Sequence, residues 1–285
     1  MLCISAIADI AERRSNTVAP NPKKRKVMKM NVLVACEESQ AVCKAFRERG
    51  HRAFSCDIQE CSGGHPEWHI CGDVLPLLNG NCKLTLQNGQ TETIVGKWDL
   101  IIAHPPCTYL TTAATQCHSV KCYSKEQIAE RTMKRIDAMI FFMAMVNADC
   151  DKIAIENPQG IMSACYRQPD QYIHPYYFAE SVDDADNYAT KKTGLWLKNL
   201  APLEYTNDLP NPMDNAKRWK NGKKINWTEG NHGSVNRSKT FPGIANAMAE
   251  QWGSENIVGQ LTLLRPPKDI VDGLAVAPLR EKVSK

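Results

Sequence analysis

Four short apolar runs, each ending in polar or reactive side chains, constrain this chain more than any other feature. They are NVLVAC (31–36), HRAFSCD (51–57), WDLIIA (98–103) and DKIAIEN (151–157). Runs this short, rich in β-branched residues and lacking a 3.6-residue repeat, read as strands buried on both faces. Between the first two lies 39–49, where Val42, Ala45 and Phe46 share a helical face and Gly50 supplies a stop. Strand–helix–strand order requires a parallel sheet and a right-handed crossover. The expected fold class is therefore α/β, with a doubly wound, mostly parallel sheet.

The remaining pattern fills in around that sheet. Residues 124–146 are the longest helical stretch, with Ile128, Ile136, Ile140 and Phe141 among its apolar positions, and a last helix spans 243–252 after the FPG turn. KLTL and TETIV flank Gln87-Asn88-Gly89-Gln90 and predict an inserted hairpin. Residues 58–72, rich in Gly, Pro and His, read as a loop. The core is expected over 28–160. A small irregular lobe is expected over 161–235, a helix returning to the core over 236–252, and a tail without chemistry over 253–285. Residues 1–27 read as disordered or added, with a domain start near Met28 or Met30. PKKRKV at 22–27 looks like a nuclear-localisation signal, a basic arm on DNA, or a translated ribosome-binding site.

Composition excludes some classes. No run of 18 apolar residues exists, so no membrane span is expected, and 1–10 is too short for a secretory signal. Net charge is only +4. Its distribution is more informative: Lys217, Arg218, Lys220, Lys223 and Lys224 are interleaved with Trp219 and Trp227, a pairing of cations with stacking surfaces that suits nucleic acid. The twelve cysteines are scattered through strand-like segments and read as free thiols of a reducing compartment. Cys56, Cys61, His65, His69, Cys71 and Cys82 lack the close CxxC pairing of structural zinc sites, so no metal is expected.

In an open α/β sheet ligands bind at the carboxyl ends of the strands. The four runs end in Cys36-Glu37-Glu38, Asp57, His104 to Cys107, and Glu156-Asn157, all on one rim. Cys107 follows Pro105 and Pro106, whose fixed φ angles hold the chain extended and present the thiol rigidly. Glu156 lies one helix and one strand later, at the same rim. A thiol nucleophile needs such an acid–base partner. Taken singly, a strand-end Cys is more often packing, and Glu156 could be a cap or a surface acid.

The PPC tripeptide followed by ENP, one strand–helix–strand unit apart, resembles the catalytic motif pair of the cytosine-C5 DNA methyltransferases. VLVACEESQAVCKAFRERGH, SGGHPEWHICGDV, WDLIIAHPPCTYL, IAIENPQG, KKTGLWLKNLAPL and RSKTFPGIANAMAEQW are similar to a compact, phage-type branch of that family. The resemblance implies the S-adenosylmethionine-dependent methyltransferase fold, with a small target-recognition lobe. It implies Cys107 as nucleophile on cytosine C6 and Glu156 as its acid. Cys36, Glu37, Ser39, Asp57, Ile58, Asp73, Val74, His104 and Pro105 would meet S-adenosylmethionine. Pro106, Asn157, Lys192, Thr193, Arg218, Trp219 and Lys220 would meet the substrate. The expected partner is double-stranded DNA with a flipped cytosine, RNA remaining open, and the expected state a monomer. The expected location is the cytoplasm of a bacterial or phage-infected host, or a nucleus if 22–27 is a signal.

Three departures stand out. ACEESQ has no glycine where the family's first turn has a glycine-rich loop. HPPCT replaces Phe, a single Pro, Cys and Gln. The arginine-bearing motif is missing, with KKTGLW in its place. Two other readings are open: an amino-methyltransferase acting on adenine N6 or cytosine N4, whose motif also carries two prolines, and a non-catalytic DNA-binding or inhibitory relic of the fold.

Overall fold

Seven strands form one sheet in the computed structural model, which describes residues 29–112, 123–215, 224 and 239–254. In chain order the elements are β1 Asn31–Ala35, α1 Ala41–Glu48, β2 Arg52–Asp57, β3 His69–Cys71, β4 Cys82–Thr85, β5 Thr91–Ile94, β6 Leu100–Ala103, α2 Lys125–Val146, β7 Ile153–Pro158, α3 Met162–Cys165, β8 Gln171–Ile173, β9 Thr193–Lys198 and α4 Pro242–Trp252. The main sheet runs β3-β2-β1-β6-β7-β9-β8, and β4 pairs with β5 in a separate hairpin. Pairing is parallel from β3 through β7, while β9 is antiparallel to both β7 and β8. The α/β class and the mostly parallel sheet agree with the sequence reading.

Burial on both faces explains the unalternating runs. In β1, Val32 and Val34 pack with Val42 and Phe46 of α1 and with Met248 and Trp252 of α4. Leu33 and Ala35 point the other way, into the cluster containing Phe142 and Met145 of α2. All four β1 residues are fully buried. Removing such a side chain, Phe46 for instance, costs about 3–5 kcal/mol. The helix ends are chemically specified. Gly50 closes α1 at φ 86°, with its N–H donating to Arg47 O at 2.9 Å. Ser124 and Gln127 form a reciprocal capping box at the start of α2.

The structure corrects three expectations. Residues 171–173 and 193–198, assigned from sequence to a separate lobe over 161–235, are strands of the main sheet. β8 is too short to carry a periodic signal, and β9 (TGLWLK) is buried through Leu197, so it shows no alternation. The loop expected over 58–72 contains β3, again three residues long. In α2, Ile136 and Ile140 are 43% and 62% exposed, and the buried residues are Phe142 and Met145. Only the C-terminal part of that helix reaches the sheet, so its apolar stripe does not mark the packed face.

Among the described residues no helix is long and apolar enough to cross a membrane.

Candidate functional site

Strand register places the candidate groups before any side-chain contact is considered. Ala35 is paired with Cys56 on one side and with Ala103 on the other, and Ala103 with Ile155. The residues that follow (Asp57, Cys36, His104 and Glu156) therefore stand in a row along the carboxyl rim. β1 is also where the sheet order changes direction, β2 lying on one side and β6 on the other. That is the topological switch point at which open α/β sheets bind ligands.

On the β6–β7 side the rim groups are joined to one another. His104 Nδ1 donates to Glu156 Oε2 at 2.7 Å, with side chains only 9% and 13% exposed. Asn157 is buried, and its Nδ2 donates to the Pro105 carbonyl at 2.6 Å, tying the PPC segment to β7. Tyr109 O accepts from Arg135 of α2, and both Leu110 N and Thr111 N donate to Cys107 O, so the chain turns immediately after the cysteine. Gly160 packs its Cα against Leu110 O, where any Cβ would clash at 2.0 Å. Cys107 itself lies on the solvent edge.

Electrostatics follow from this packing. Burial pushes the Glu156 carboxyl up, but the His104 hydrogen bond, the Lys191 and His104 charges and the Thr193 hydroxyl outweigh it, holding the group at about 2. Burial works against a charged His104, yet Glu156 and then Glu37 raise it. Enough protein surrounds the Cys107 sulfur for desolvation to raise its pKa, the Glu156 charge adds to this, and Lys191 opposes both. A nucleophilic thiol here thus depends on compensating positive charge.

The β1–β2 side is built differently. Asp57 Oδ1 accepts from Gln59 N at 2.9 Å and Asp73 Oδ1 from Leu75 N at 3.0 Å, local turns that leave the second oxygen of each without a hydrogen bond among the described residues. Burial pushes the Cys36 thiol up, and so do the charges of Asp57 and Asp73. Ile58, beside Asp57, is 81% exposed and offers an apolar face at the rim. Val74 is buried. The turn expected to be rich in glycine instead holds Cys36 and Gln40 at φ 60° and 59°, a conformation that costs non-glycine residues of order 1 kcal/mol or more. It is braced by its neighbours: Gln40 exchanges hydrogen bonds with His65 N and O, Glu38 O accepts from Ser62 N, and Ser62 Oγ bonds the Glu38 carboxylate. Gly63 lies so close to Ser39 O that a Cβ there would sit at 2.5 Å.

The other candidates have these partners. Glu37, expected at the cofactor, is buried and accepts from Val42 N at 2.6 Å and Cys43 N at 3.1 Å, capping α1. His104 and Pro105, also assigned to the cofactor, bond to Glu156 and Asn157, and Asn157 serves the PPC segment through its amide nitrogen. Pro106 is exposed beside Cys107. Thr193 is buried and reaches Glu156, whereas Lys192 lies 4.3 Å over the Tyr172 ring. The cation facing the site is Lys191, which the sequence reading missed. Strand alternation could have found it, because residues two apart share a face and Thr193 was already a candidate. Arg218, Trp219 and Lys220 lie outside the described residues. In the cysteine–histidine segment, His69 bonds Ser55 Oγ and Gln59 O, and His65 stacks on Trp68 at 3.8 Å while bonding Glu67. The chain matches no family model and no curated protein.

Proposed function

We propose that this chain is an S-adenosylmethionine-dependent methyltransferase that modifies C5 of cytosine in DNA through a covalent bond from Cys107 to C6. The observation that carries the reading is the rim constellation itself. A thiol on a rigid two-proline segment stands beside a buried, ionised carboxylate on the next strand, and Asn157 and His104 join the two. The open, mostly parallel seven-stranded sheet is compatible with that type of enzyme.

Cytosine C5 is a weak nucleophile until a group adds at C6. Cys107 supplies that group: its sulfur forms a bond to C6 and the displaced π electrons move toward C5 and N3. In this reading Glu156 hydrogen-bonds N3 and the exocyclic amine of the base, and those bonds strengthen as the ring takes up charge. The Lys191 ammonium offsets the Glu156 charge that opposes a Cys107 thiolate. Asp57 and Asp73, each with one oxygen that makes no hydrogen bond among the described residues, and the exposed Ile58 suit the polar and planar parts of S-adenosylmethionine. That cofactor, when bound, supplies the electrophilic methyl group that C5 accepts. A base then takes the C5 proton, whose electron pair restores the C5–C6 double bond as the C6–S bond breaks and Cys107 leaves as the thiolate. A duplex base cannot reach this rim while stacked, so the reading includes base flipping.

Bisulfite sequencing of DNA from cells expressing the chain, beside cells expressing Cys107→Ala, tests the proposal. Protected cytosines in a recurring short context, absent with the variant, are expected; equal protection in both would refute it.

A further inference from the structure

We propose that His104 is a positioning residue whose Nδ1 hydrogen bond fixes the Glu156 carboxylate for the incoming base. The inference rests on the reading that Cys107 and Glu156 act on that base. Nothing in the PPC–ENP pairing requires a histidine at this position; the contact geometry does.

The ring sits at the end of β6, between the ends of β1 and β7. Its Nδ1 holds Glu156 Oε2 at 2.7 Å, and its Nε2 is buried with no hydrogen-bond partner among the described residues. A buried imidazole with one unpaired edge is a costly arrangement unless the other edge carries a strong, charge-assisted bond. The charged groups near it are Glu156 from β7, Glu37 from the β1–α1 turn and Lys191 from the approach to β9. Burial disfavours the charged ring and Lys191 opposes it, but the Glu156 hydrogen bond and charge outweigh them and raise its pKa; Glu37, whose own carboxyl burial pushes up, adds a smaller share. One Glu156 oxygen is thereby committed to His104. Thr193 also bonds the carboxylate, so the base meets a Glu156 held in one rotamer by two neighbours.

The consequence has a sign. As pH rises, Cys107 ionises more readily, which alone would make activity climb. His104 loses its proton on the same rise, removing one of the two positive charges set against Glu156 and leaving Lys191 alone to offset it. That raises the thiol pKa further and loosens the hold on the carboxylate. Activity therefore falls on the alkaline side where the thiol alone predicts a rise, giving a bell-shaped profile.

The test uses the full chain. Imidazole NMR titrations of wild type, with His104 assigned by its absence from His104→Asn, read the ring directly. The ring is expected to stay charged above the ordinary histidine range, and Glu156→Gln is expected to lower its midpoint. In methyl-transfer assays on cytosine-containing duplex DNA, His104→Asn keeps an N–H donor and is expected to lose the alkaline limb with kcat down about tenfold. His104→Phe, with no donor, is expected to lose about 10–100-fold, the scale of one charge-assisted hydrogen bond. A His104 that titrates in the ordinary range or is unmoved by Glu156→Gln overturns the proposal. So does an alkaline limb that persists unchanged in His104→Asn, which decides the matter alone if Glu156→Gln does not fold. A charged His104 in a wild-type chain that transfers no methyl group keeps the His104–Glu156 bond, but removes its base-positioning role together with the C5 reading.

Discussion

Around Cys107 and Glu156 the rim side chains are bonded to one another across strands: His104 to Glu156, Asn157 to Pro105, Thr193 to Glu156. Asp57 and Asp73 themselves bond, among the described residues, only within their own turns, two residues along the chain. Both regions lie on the same sheet edge and each carries carboxylates, so the contrast is one of wiring. Cross-strand bonds in a buried setting fix an acid in one rotamer and one charge state, which suits a group that must meet a reacting ring in one geometry. Locally held acids keep an oxygen free and an open approach, which suits exchange of a diffusible ligand. The first turn underlines the point. It tolerates two left-handed non-glycine residues because the 62–65 loop is bonded over it.

The largest stability effect should come from the wired half. With its carboxyl held at about 2 against an ordinary 4.5, Glu156 contributes stability that is fully present above pH 4.5 and lost as pH falls toward 2, of order 3 kcal/mol. His104, raised from 6.5, contributes below that value and loses its share as pH rises through its raised midpoint. Thermal unfolding should therefore be highest between about pH 4.5 and 6.5. Glu156→Gln should flatten that maximum; an unchanged curve would deny the pair its role.

Next in size is Asn157→Ala, which leaves the buried Pro105 carbonyl without its donor. A loss of about 1–3 kcal/mol in denaturant unfolding is expected, together with reduced activity through a loosened Cys107 segment. On the open half, Asp57→Ala should weaken S-adenosylmethionine binding about tenfold by calorimetry, one charge-assisted hydrogen bond's worth, with the unfolding midpoint hardly moved. If Asp57→Ala destabilised the fold as much as Asn157→Ala, the contrast between the halves would fail. The smallest effect belongs to Cys36→Gly. Relief of the positive φ and loss of a partly buried side chain offset one another, and a net change under about 1 kcal/mol is expected by the same unfolding assay.

The part of this architecture legible in the sequence is the part written in local runs. β1, β2, β6 and β7 announce themselves because burial on both faces demands continuous apolar residues, and their polar ends then mark the rim. Cys107 and Glu156 could be named from those ends and from the motif spacing. What was not legible depends on partners distant in the chain. β8 and β9 join the main sheet through pairing that three and six residues do not advertise. Glu37 looks like a rim acid until α1 is seen to begin on it. Lys191 and Lys192 are indistinguishable in sequence, and only the side of the chain each occupies separates the cation near Glu156 from the one over Tyr172. His104 reads as a substituted motif position; its bond to Glu156 gives it a role.

The central claim, that Cys107 forms a bond to cytosine C6, is tested most directly by covalent trapping on duplex DNA carrying 5-fluorocytosine. Fluorine at C5 cannot leave as the proton does, so the adduct should persist once the methyl group has been accepted. Mass spectrometry of the digested complex should then show the modified base on the Cys107 peptide, with none in Cys107→Ser. Methyl transfer that survives in Cys107→Ser, with no adduct in wild type, would contradict the account.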